Sequence, residues 1–194
     1  MNKQSLLDYI AKDINLNDKE ESMLFSKAKL RRYLKGQFLV QQGDTCKYLS
    51  FVNSGCLKTF HVDDEGREHI TRFAIENWWT ADLGSFIEQI PSDCNVQCIE
   101  NTEVVQFSSE SLTELYLQIP KLERLFRIIF QKAFAASEKR VIRNFSLNVK
   151  ENYLLFRKQY PKIEQRVPQY MIASYLGITK EFLSKIRKQL IHEQ

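Results

Sequence analysis

The sequence has few of the residues that mark unusual protein classes, and it has no long uncharged apolar run. Its 194 residues include four Cys, three His, four Pro and six Gly, and 43% of them are hydrophobic. This composition excludes collagen-like, low-complexity and disulfide-scaffold proteins. No segment approaches the roughly 20 apolar residues that span a bilayer. We therefore expect a globular protein that does not span a membrane.

The start of the chain lacks the features of a secretory signal. Charged residues at Asp8, Lys12 and Asp13 come before an apolar signal core could form. We therefore expect a cytoplasmic protein. Its length suits one large domain or two small ones, because single domains typically run to about 100–150 residues.

The cysteines lack the spacing of a metal or redox site. Cys46, Cys56, Cys94 and Cys98 include no Cys-x-x-Cys pair, and in a reducing cytosol such residues are usually small buried hydrophobic side chains. An iron–sulfur sensor would need about four thiolates at one place. We expect neither a metal nor a cofactor.

An enzyme with a cysteine nucleophile is the first alternative. Cys46 or Cys56 could pair with His61 or His69, but a nucleophile also needs a third group that orients its base. No stretch of the sequence brings such a set together, so we do not expect an enzyme.

The charges divide the chain into two unlike parts. Residues 1–138 hold 16 basic and 20 acidic side chains, a net charge of −4, whereas residues 139–194 hold 12 basic and 4 acidic side chains, a net charge of +8. A basic terminal module indicates a polyanionic partner such as nucleic acid or an anionic membrane surface. A solvated basic surface is the alternative that charge alone leaves open.

The middle of the chain has the pattern of short strands. Helical spacing of apolar residues extends up to about Tyr33, whereas residues 36–107 contain five of the six glycines between short apolar runs. Residues 63–66, Asp-Asp-Glu-Gly, predict a hairpin turn. Many short strands at close spacing predict a β-sandwich or barrel of the jelly-roll kind.

A long helix is predicted over residues 121–147. Its apolar stripe is too wide for one neighbour, so one side is expected to cover the β domain and the other to meet a symmetric partner. The alternative is a helix buried wholly within one domain. The residues expected at the dimer interface are Leu122, Leu125, Phe126, Ile129, Ala133 and Ala136.

The most specific motif lies near the end of the chain. A helix that includes the small residue Ala173 is followed by Gly177 at a tight turn, by Ile178 at the corner and by Thr179 as the cap of a second helix. This order predicts a helix-turn-helix.

The second helix of this motif divides into two faces at about 100° per residue. Phe182, Leu183, Ile186 and Leu190 are expected to pack on the domain, and the polar face is expected to enter a major groove. A lysine on this face can donate hydrogen bonds to guanine, and Glu181 can accept one from cytosine. The remaining polar side chains can contact bases or phosphates. A solvated charged face is the alternative. The expected DNA-binding residues are Tyr170, Thr179, Lys180, Glu181, Ser184, Lys185, Arg187 and Lys188.

The chain resembles the transcription regulators related to the cyclic-AMP receptor protein and the fumarate-nitrate regulator. The matching segments, in the same order as in that family, are residues 36–44, 48–58, 82–86, 121–147 and 172–190. This resemblance implies an α+β fold with an N-terminal β-roll of the cyclic-nucleotide-binding type. The expected domains are a sensor over residues 1–120, a dimerisation helix over 121–147 and a helix-turn-helix domain over 148–194. By the same resemblance, Lys180, Glu181 and Lys185 touch bases.

The chain departs from ligand-binding members of this family at the phosphate-binding cassette. A cyclic phosphate is bound by a cationic side chain that donates hydrogen bonds to its oxygens. No Arg or Lys lies between Arg72 and Lys121. We therefore expect that cyclic nucleotides do not bind tightly. The cysteine cluster of iron–sulfur members is absent as well. The effector pocket, if one is used, is expected at Phe73, Asp82, Leu83, Gly84, Ser85 and Asp93.

The sequence thus predicts a homodimeric transcription regulator that binds a near-palindromic DNA site and is not controlled by cyclic AMP. Expected partners are double-stranded DNA and a second copy of the chain, with RNA polymerase and an unidentified small-molecule effector as further candidates. The alternative is a structural or protein-binding dimer with a degenerate sensor domain and little DNA affinity.

Overall fold

A computed structural model describes residues 3–192, without the side chain of His192. Residues 1, 2, 193 and 194, which the expected domain bounds include, lie outside the described residues. The described helices are α1 (Gln4–Ile10), α2 (Asp18–Ser26), α3 (Leu83–Glu88), α4 (Ser109–Gln118), α5 (Pro120–Ser146), α6 (Val149–Gln159), α7 (Pro161–Arg166), α8 (Gln169–Leu176) and α9 (Lys180–His192). The described strands are β1 (Lys29–Tyr33), β2 (Phe38–Val40), β3 (Tyr48–Ser54), β4 (Leu57–Val62), β5 (Glu68–Ala74), β6 (Trp79–Thr80), β7 (Asn95–Cys98) and β8 (Thr102–Ser108).

The strands form two four-stranded antiparallel sheets. The first has the order β1-β8-β3-β6, and the second has the order β2-β7-β4-β5. Residues 63–66 connect β4 to its antiparallel neighbour β5, as their hairpin pattern predicts. The predicted β-roll in an α+β fold is confirmed by this pair of sheets, the long helix and the helices that follow it.

The expected helical spacing up to Tyr33 is wrong for its last five residues. Lys29–Tyr33 is the strand β1, which pairs along its full length with β8. The partner residues are more than 60 positions away in the sequence, so no local pattern could reveal the pairing. Tertiary hydrogen bonding outweighs local helical propensity here.

Gly55 makes the turn between β3 and β4 and cannot be replaced without strain. Its φ is +106°, and an added Cβ would lie 2.4 Å from Oγ1 of Thr102 and 2.8 Å from the backbone of Asn101. The turn therefore needs a residue without a side chain, both for its backbone conformation and for its close approach to β8.

The first hydrophobic core fills the β-roll and receives the N-terminal part of α5. Leu122 and Leu125 are completely buried there, and Phe126 is 4% exposed and packs against Trp79 at 5.0 Å between ring centroids. These three side chains are therefore contacts within one chain. The expectation that they meet a symmetric partner is wrong, because the β-roll already covers them.

The other expected interface residues of α5 lie on the same side of the helix as this buried group. Ile129 packs at the edge of the core, and Ala133 and Ala136 are exposed beyond it. A different set of apolar side chains faces away from the chain. Its members are Phe134, Val141, Ile142 and Phe145, which are 67%, 52%, 63% and 88% exposed.

A second hydrophobic core joins the β-roll to the C-terminal helices. Phe60, Ile70 and Phe73 of the second sheet share this cluster with residues of α6 to α9, including Ile172 and Leu183. The C-terminal helices are therefore held against the outer face of the second sheet. Within residues 3–192, no helix combines the length and the apolar character needed to cross a membrane.

Candidate nucleic-acid interface

The turn between α8 and α9 has the geometry that the sequence predicts. Gly177 adopts a left-handed conformation with a φ of +70°, and its N–H donates to the carbonyl oxygen of Ser174 at 3.1 Å. The N–H of Ile178 donates to the carbonyl oxygen of Ala173 at 3.0 Å. Such a left-handed end satisfies the last carbonyls of a helix and turns the chain sharply. The turn therefore brings α9 back across α8.

The cap of α9 comes from Thr179. Its Oγ1 accepts a hydrogen bond from the N–H of Phe182 at 3.2 Å, and its carbonyl oxygen accepts from the N–H of Leu183 at 3.1 Å. A threonine in this position satisfies one of the free N–H groups of the first helical turn. The helix that carries the expected base contacts therefore starts at a well-defined residue.

The buried face of α9 anchors it to the second core. Leu183 is completely buried and Ile186 is 4% exposed, and both pack with Ile172 and Ala173 of α8. Ala173 is 1% exposed, so its small side chain lies directly at the helix contact. The two helices thus form one rigid unit with a single orientation for the opposite face of α9.

The opposite face of α9 is exposed and carries a net positive charge. The seven predicted DNA-binding residues from Thr179 to Lys188 are all exposed, and Tyr170 on α8 is half-exposed. Among the described residues, no carboxylate forms an ion pair with Lys180, Lys185 or Lys188. Their charges are therefore available to an anionic partner.

Arg187 lies closer to the rest of the domain than the other cations do. Its charge lowers the pKa of the buried Tyr153 hydroxyl, although burial has the larger effect and raises that pKa. The Tyr153 hydroxyl donates to Oε1 of Glu164 at 3.1 Å. Arg187 therefore lies at the edge of the exposed face.

One residue of α9 differs from its expected position. Phe182 is expected on the packing side with Leu183, but 47% of it is exposed. Leu183 is turned by about 100° from it around the helix and is completely buried. Phe182 therefore lies at the border between the buried face and the exposed polar face.

Polar contacts hold α8 on the free edge of β5. The Ser174 hydroxyl accepts a hydrogen bond from the N–H of Ile70 at 3.0 Å and donates to the carbonyl oxygen of Glu68 at 2.6 Å. Arg140 of α5 donates to the carbonyl oxygens of Thr71 and Tyr175. One serine and one arginine thus satisfy edge groups that would otherwise be unpaired.

A charged clamp also connects the β-roll to α7. Arg166 donates two hydrogen bonds to Glu76, at 2.7 and 2.9 Å, and two to Glu100, at 3.0 and 2.7 Å. Burial opposes ionisation of Glu76, but hydrogen bonds from Arg166 and from the N–H of Gly55 hold its pKa below the ordinary value. Hydrogen bonds to Glu100 and Glu76 raise the pKa of Arg166. No local signal in the sequence indicates this contact.

The expected effector pocket contains a polar network that is satisfied from within the chain. Asp82 caps α3, and its carboxylate accepts from the N–H of Ser85 at 3.4 Å and from the hydroxyl of Ser92 at 2.6 Å. The Ser85 hydroxyl donates to the carbonyl oxygen of Ile90 at 2.5 Å. Leu83 and Gly84 are on the same helix, and Asp93 is exposed beside it.

Phe73 does not belong to this pocket. Its ring lies 5.5 Å from that of Tyr175 and 6.5 Å from that of Phe156, so it faces the C-terminal helices. Successive residues of a strand face opposite sides, and Arg72 faces the cassette instead.

Arg72 is the cation that the sequence analysis did not place. Its guanidinium donates to the carbonyl oxygen of Ala81 at 2.6 Å, and its Nε is buried with no hydrogen-bond partner among the described residues. Burial lowers the pKa of Arg72, and the nearby Asp82 opposes this effect. Strand parity in β5 places Arg72 and Phe73 on opposite faces of the strand, but it does not decide which of them faces the cassette.

Comparison with known proteins identifies the family of this chain. Residues 30–118 match the family model described as a cyclic nucleotide-binding domain. The transcriptional activator protein Anr of Pseudomonas protegens is 31% identical over 163 residues, which cover 78% of this chain and 66% of that protein. The chain belongs to the Crp-Fnr family of transcription regulators.

Two further Crp-Fnr comparisons extend over nearly the whole chain. The transcriptional activator protein FnrA of Stutzerimonas stutzeri is 29% identical over 95% of this chain and 80% of its own length. The solved structure of the c-di-GMP-responsive global regulator CLP from Xanthomonas campestris has a TM-score of 0.74 at 18% identity, over 91% of this chain and 93% of that one. The chain spans just under two thirds of the length of Anr, its first relative above.

The Crp-Fnr relatives are regulators and not enzymes, in agreement with the expectation for this chain. Burial raises the pKa of the Cys56 thiol to about 12, which makes it a poor nucleophile. His61 contacts the carbonyl oxygen of Asp93, and His69 contacts the carboxylate of Asp63. Within residues 3–192, no group of three or more His, Cys, Asp or Glu residues could hold a metal ion.

Proposed function

We propose that this chain is a cytoplasmic, DNA-binding transcription regulator that binds a near-palindromic operator as a homodimer through the helix at 179–190. In this proposal residues 1–120 form the sensor domain, residues 121–147 the dimerisation helix and residues 148–194 the DNA-binding domain. Two recognition helices related by a two-fold axis would bind half-sites about one helical turn, roughly 34 Å, apart.

The observation that carries this proposal is the division of α9 into two faces. Leu183 and Ile186 hold one face in the core, while Lys180, Lys185 and Lys188 project from the other without acidic partners among the described residues. Such a helix presents cations and hydrogen-bonding groups to a major groove. The names of the relatives, which are transcriptional activators, support the same function.

The proposed dimer uses the exposed apolar face of α5. Phe134, Val141 and Phe145 repeat at spacings of seven and four residues, which is typical of the seam between two packed helices. A contiguous exposed apolar surface of this kind usually marks a protein contact. This face lies opposite Leu122 and Leu125, which the β-roll covers.

We expect no control by cyclic AMP. The Asp82 carboxylate lies at the cassette and would repel a cyclic phosphate, and Arg72 already donates to Ala81. Isothermal titration of the protein with cyclic AMP or cyclic GMP should show no saturable binding at micromolar ligand. A micromolar dissociation constant would contradict this expectation. RNA polymerase and an unidentified small molecule remain proposed partners.

Selection of bound DNA followed by gel-shift titration tests the DNA-binding proposal. Replacement of Glu181 by Ala should relax the preference at one base pair by about 1–3 kcal/mol. Replacement of Lys188 by Ala should weaken binding to all sequences alike. It should also reduce the slope of the logarithm of the binding constant against the logarithm of the salt concentration by about one. The two variants therefore separate base reading from phosphate contact.

The alternative function makes a different prediction in the same assay. A structural or protein-binding dimer would show no binding, or binding that does not change with salt concentration. If the Glu181→Ala variant selected the same sequence as the native protein, the assignment of Glu181 to a base would be wrong. A useful control is Lys35→Ala, because Lys35 lies on the β-roll and should leave operator binding unchanged.

A further inference from the structure

Phe182 is a large apolar side chain at an unusual place on α9. It is the third residue of the helix, and 47% of it is exposed, whereas its neighbour Leu183 is completely buried. The capping bond from its N–H to Thr179 fixes the backbone of this first turn. The point at which this side chain leaves the helix is therefore defined, and the ring contributes little to the core.

The surroundings of Phe182 indicate the kind of partner that would cover it. Glu181 precedes it, and Lys185 lies one turn later at about 60° around the helix; both are exposed. Residues in the first turns of a recognition helix are the ones that reach base edges. Both charged side chains lie on one side of Phe182, and the buried Leu183 and Ile186 lie on the other. An apolar group beside a carboxylate and an ammonium group fits a surface that is mainly polar and anionic but carries isolated apolar groups.

The major groove of DNA has one such apolar group, the C5-methyl of thymine. Aromatic side chains contact this methyl, and the contact distinguishes thymine from the other standard bases. From this geometry we propose that Phe182 contacts the methyl group of one thymine in each operator half-site and is a specificity-determining residue. This inference rests on the proposed DNA-binding function. The same contact would accept 5-methylcytosine, which presents its methyl group at the same ring position.

The test is a thymine-to-deoxyuridine scan of the selected operator, which removes one methyl group at a time and leaves every hydrogen-bonding group in place. At one position of the half-site the native protein should bind about fourfold more weakly, the value of one buried methyl-sized group. The Phe182→Ala variant should bind the thymine and deoxyuridine operators equally well at that position. The Phe182→Leu variant should retain part of the difference.

Ile191→Ala is the matched control, because Ile191 is an exposed apolar residue at the other end of α9. This variant should keep the native preference for thymine. Equal binding of all the substituted operators by the native protein would overturn the inference while leaving DNA binding intact. Absence of salt-dependent DNA binding would overturn the proposed function as well. A thymine preference that survives in Phe182→Ala would assign the methyl contact to another residue.

Discussion

A variant with Phe134→Glu and Val141→Glu is expected to be monomeric and to lose at least about 100-fold in affinity for the full operator. A dimer binds its second half-site as an intramolecular event, so a monomer loses the whole of this advantage. Linking two binding sites typically raises the overall affinity by a factor of about 10² to 10⁴. Affinity for a single half-site should change little.

The physical reason is the position of these two residues on α5. Both are more than half exposed in the single chain, so glutamate costs little in the folded monomer. In a dimer the same positions would become buried against their symmetry copies. Two carboxylates from each chain would then face one another without partners, which is strongly unfavourable. The substitution therefore separates dimer formation from folding.

The measurement is sedimentation equilibrium together with gel-shift titration. Ala136→Glu is the matched control, since Ala136 is an exposed residue of the same helix at about 200° from Phe134. This control should remain dimeric. If Ala136→Glu dissociated the dimer and the double variant did not, the interface would lie on the face predicted from the sequence.

Replacement of Arg166 by Met is expected to lower the free energy of unfolding by about 1–3 kcal/mol. Breaking a buried ion pair typically costs about 3–5 kcal/mol, and partial exposure of these three side chains reduces that figure by solvent screening. Glu76 and Glu100 would then lie close together without their common cation. The contact between α7 and the β-roll should therefore weaken, with faster hydrogen exchange in α7 and α8.

The clamp also makes stability depend on pH. The pKa of Glu76 is lower in the folded protein than in the unfolded chain, so the unfolded chain binds more protons as the pH falls. The stabilisation is complete above the ordinary glutamate pKa of about 4.3 and is lost below it. In the Arg166→Met variant this acid-dependent loss should be smaller, because Glu76 keeps its burial and loses its main hydrogen-bond donor.

Urea unfolding between neutral and acidic pH measures both effects. Arg32→Met is the matched control, because Arg32 pairs with Glu103 at the surface and its side chain is 70% exposed. Such a pair contributes about 0–1 kcal/mol. Equal stability losses in the two variants, or parallel acid-unfolding curves for native protein and Arg166→Met, would show that the clamp is not a specific contact.

The helix-turn-helix could be predicted because its signals are local. Gly177 supplies a left-handed turn, Thr179 caps the next helix, and Ala173 permits close helix packing, all within seven residues. The face of α9 follows from helical periodicity once its limits are known. Periodicity does not predict the exposure of Phe182, since a residue at the border of two faces can be exposed or buried without any change in the pattern.

Contacts between distant segments were beyond the reach of the same reasoning. Apolar residues surround α5 on several sides, and periodicity does not state which side meets the β-roll. Strand parity places Arg72 and Phe73 on opposite faces of β5, but only the packed structure shows that Phe73 faces the C-terminal helices. The expected dimer face and the expected effector pocket were both incorrect in part for this reason.

The sequence by itself determined the order of the modules, the jelly-roll class of the first one and the helix-turn-helix at the end. These follow from composition, turn residues and periodicity, which act over a few residues. The tertiary structure decided that Lys29–Tyr33 is a strand, which face of α5 stays exposed and how Arg166 joins α7 to Glu76 and Glu100. These depend on hydrogen bonds and burial between segments that are distant in the sequence, whose energies no local pattern contains.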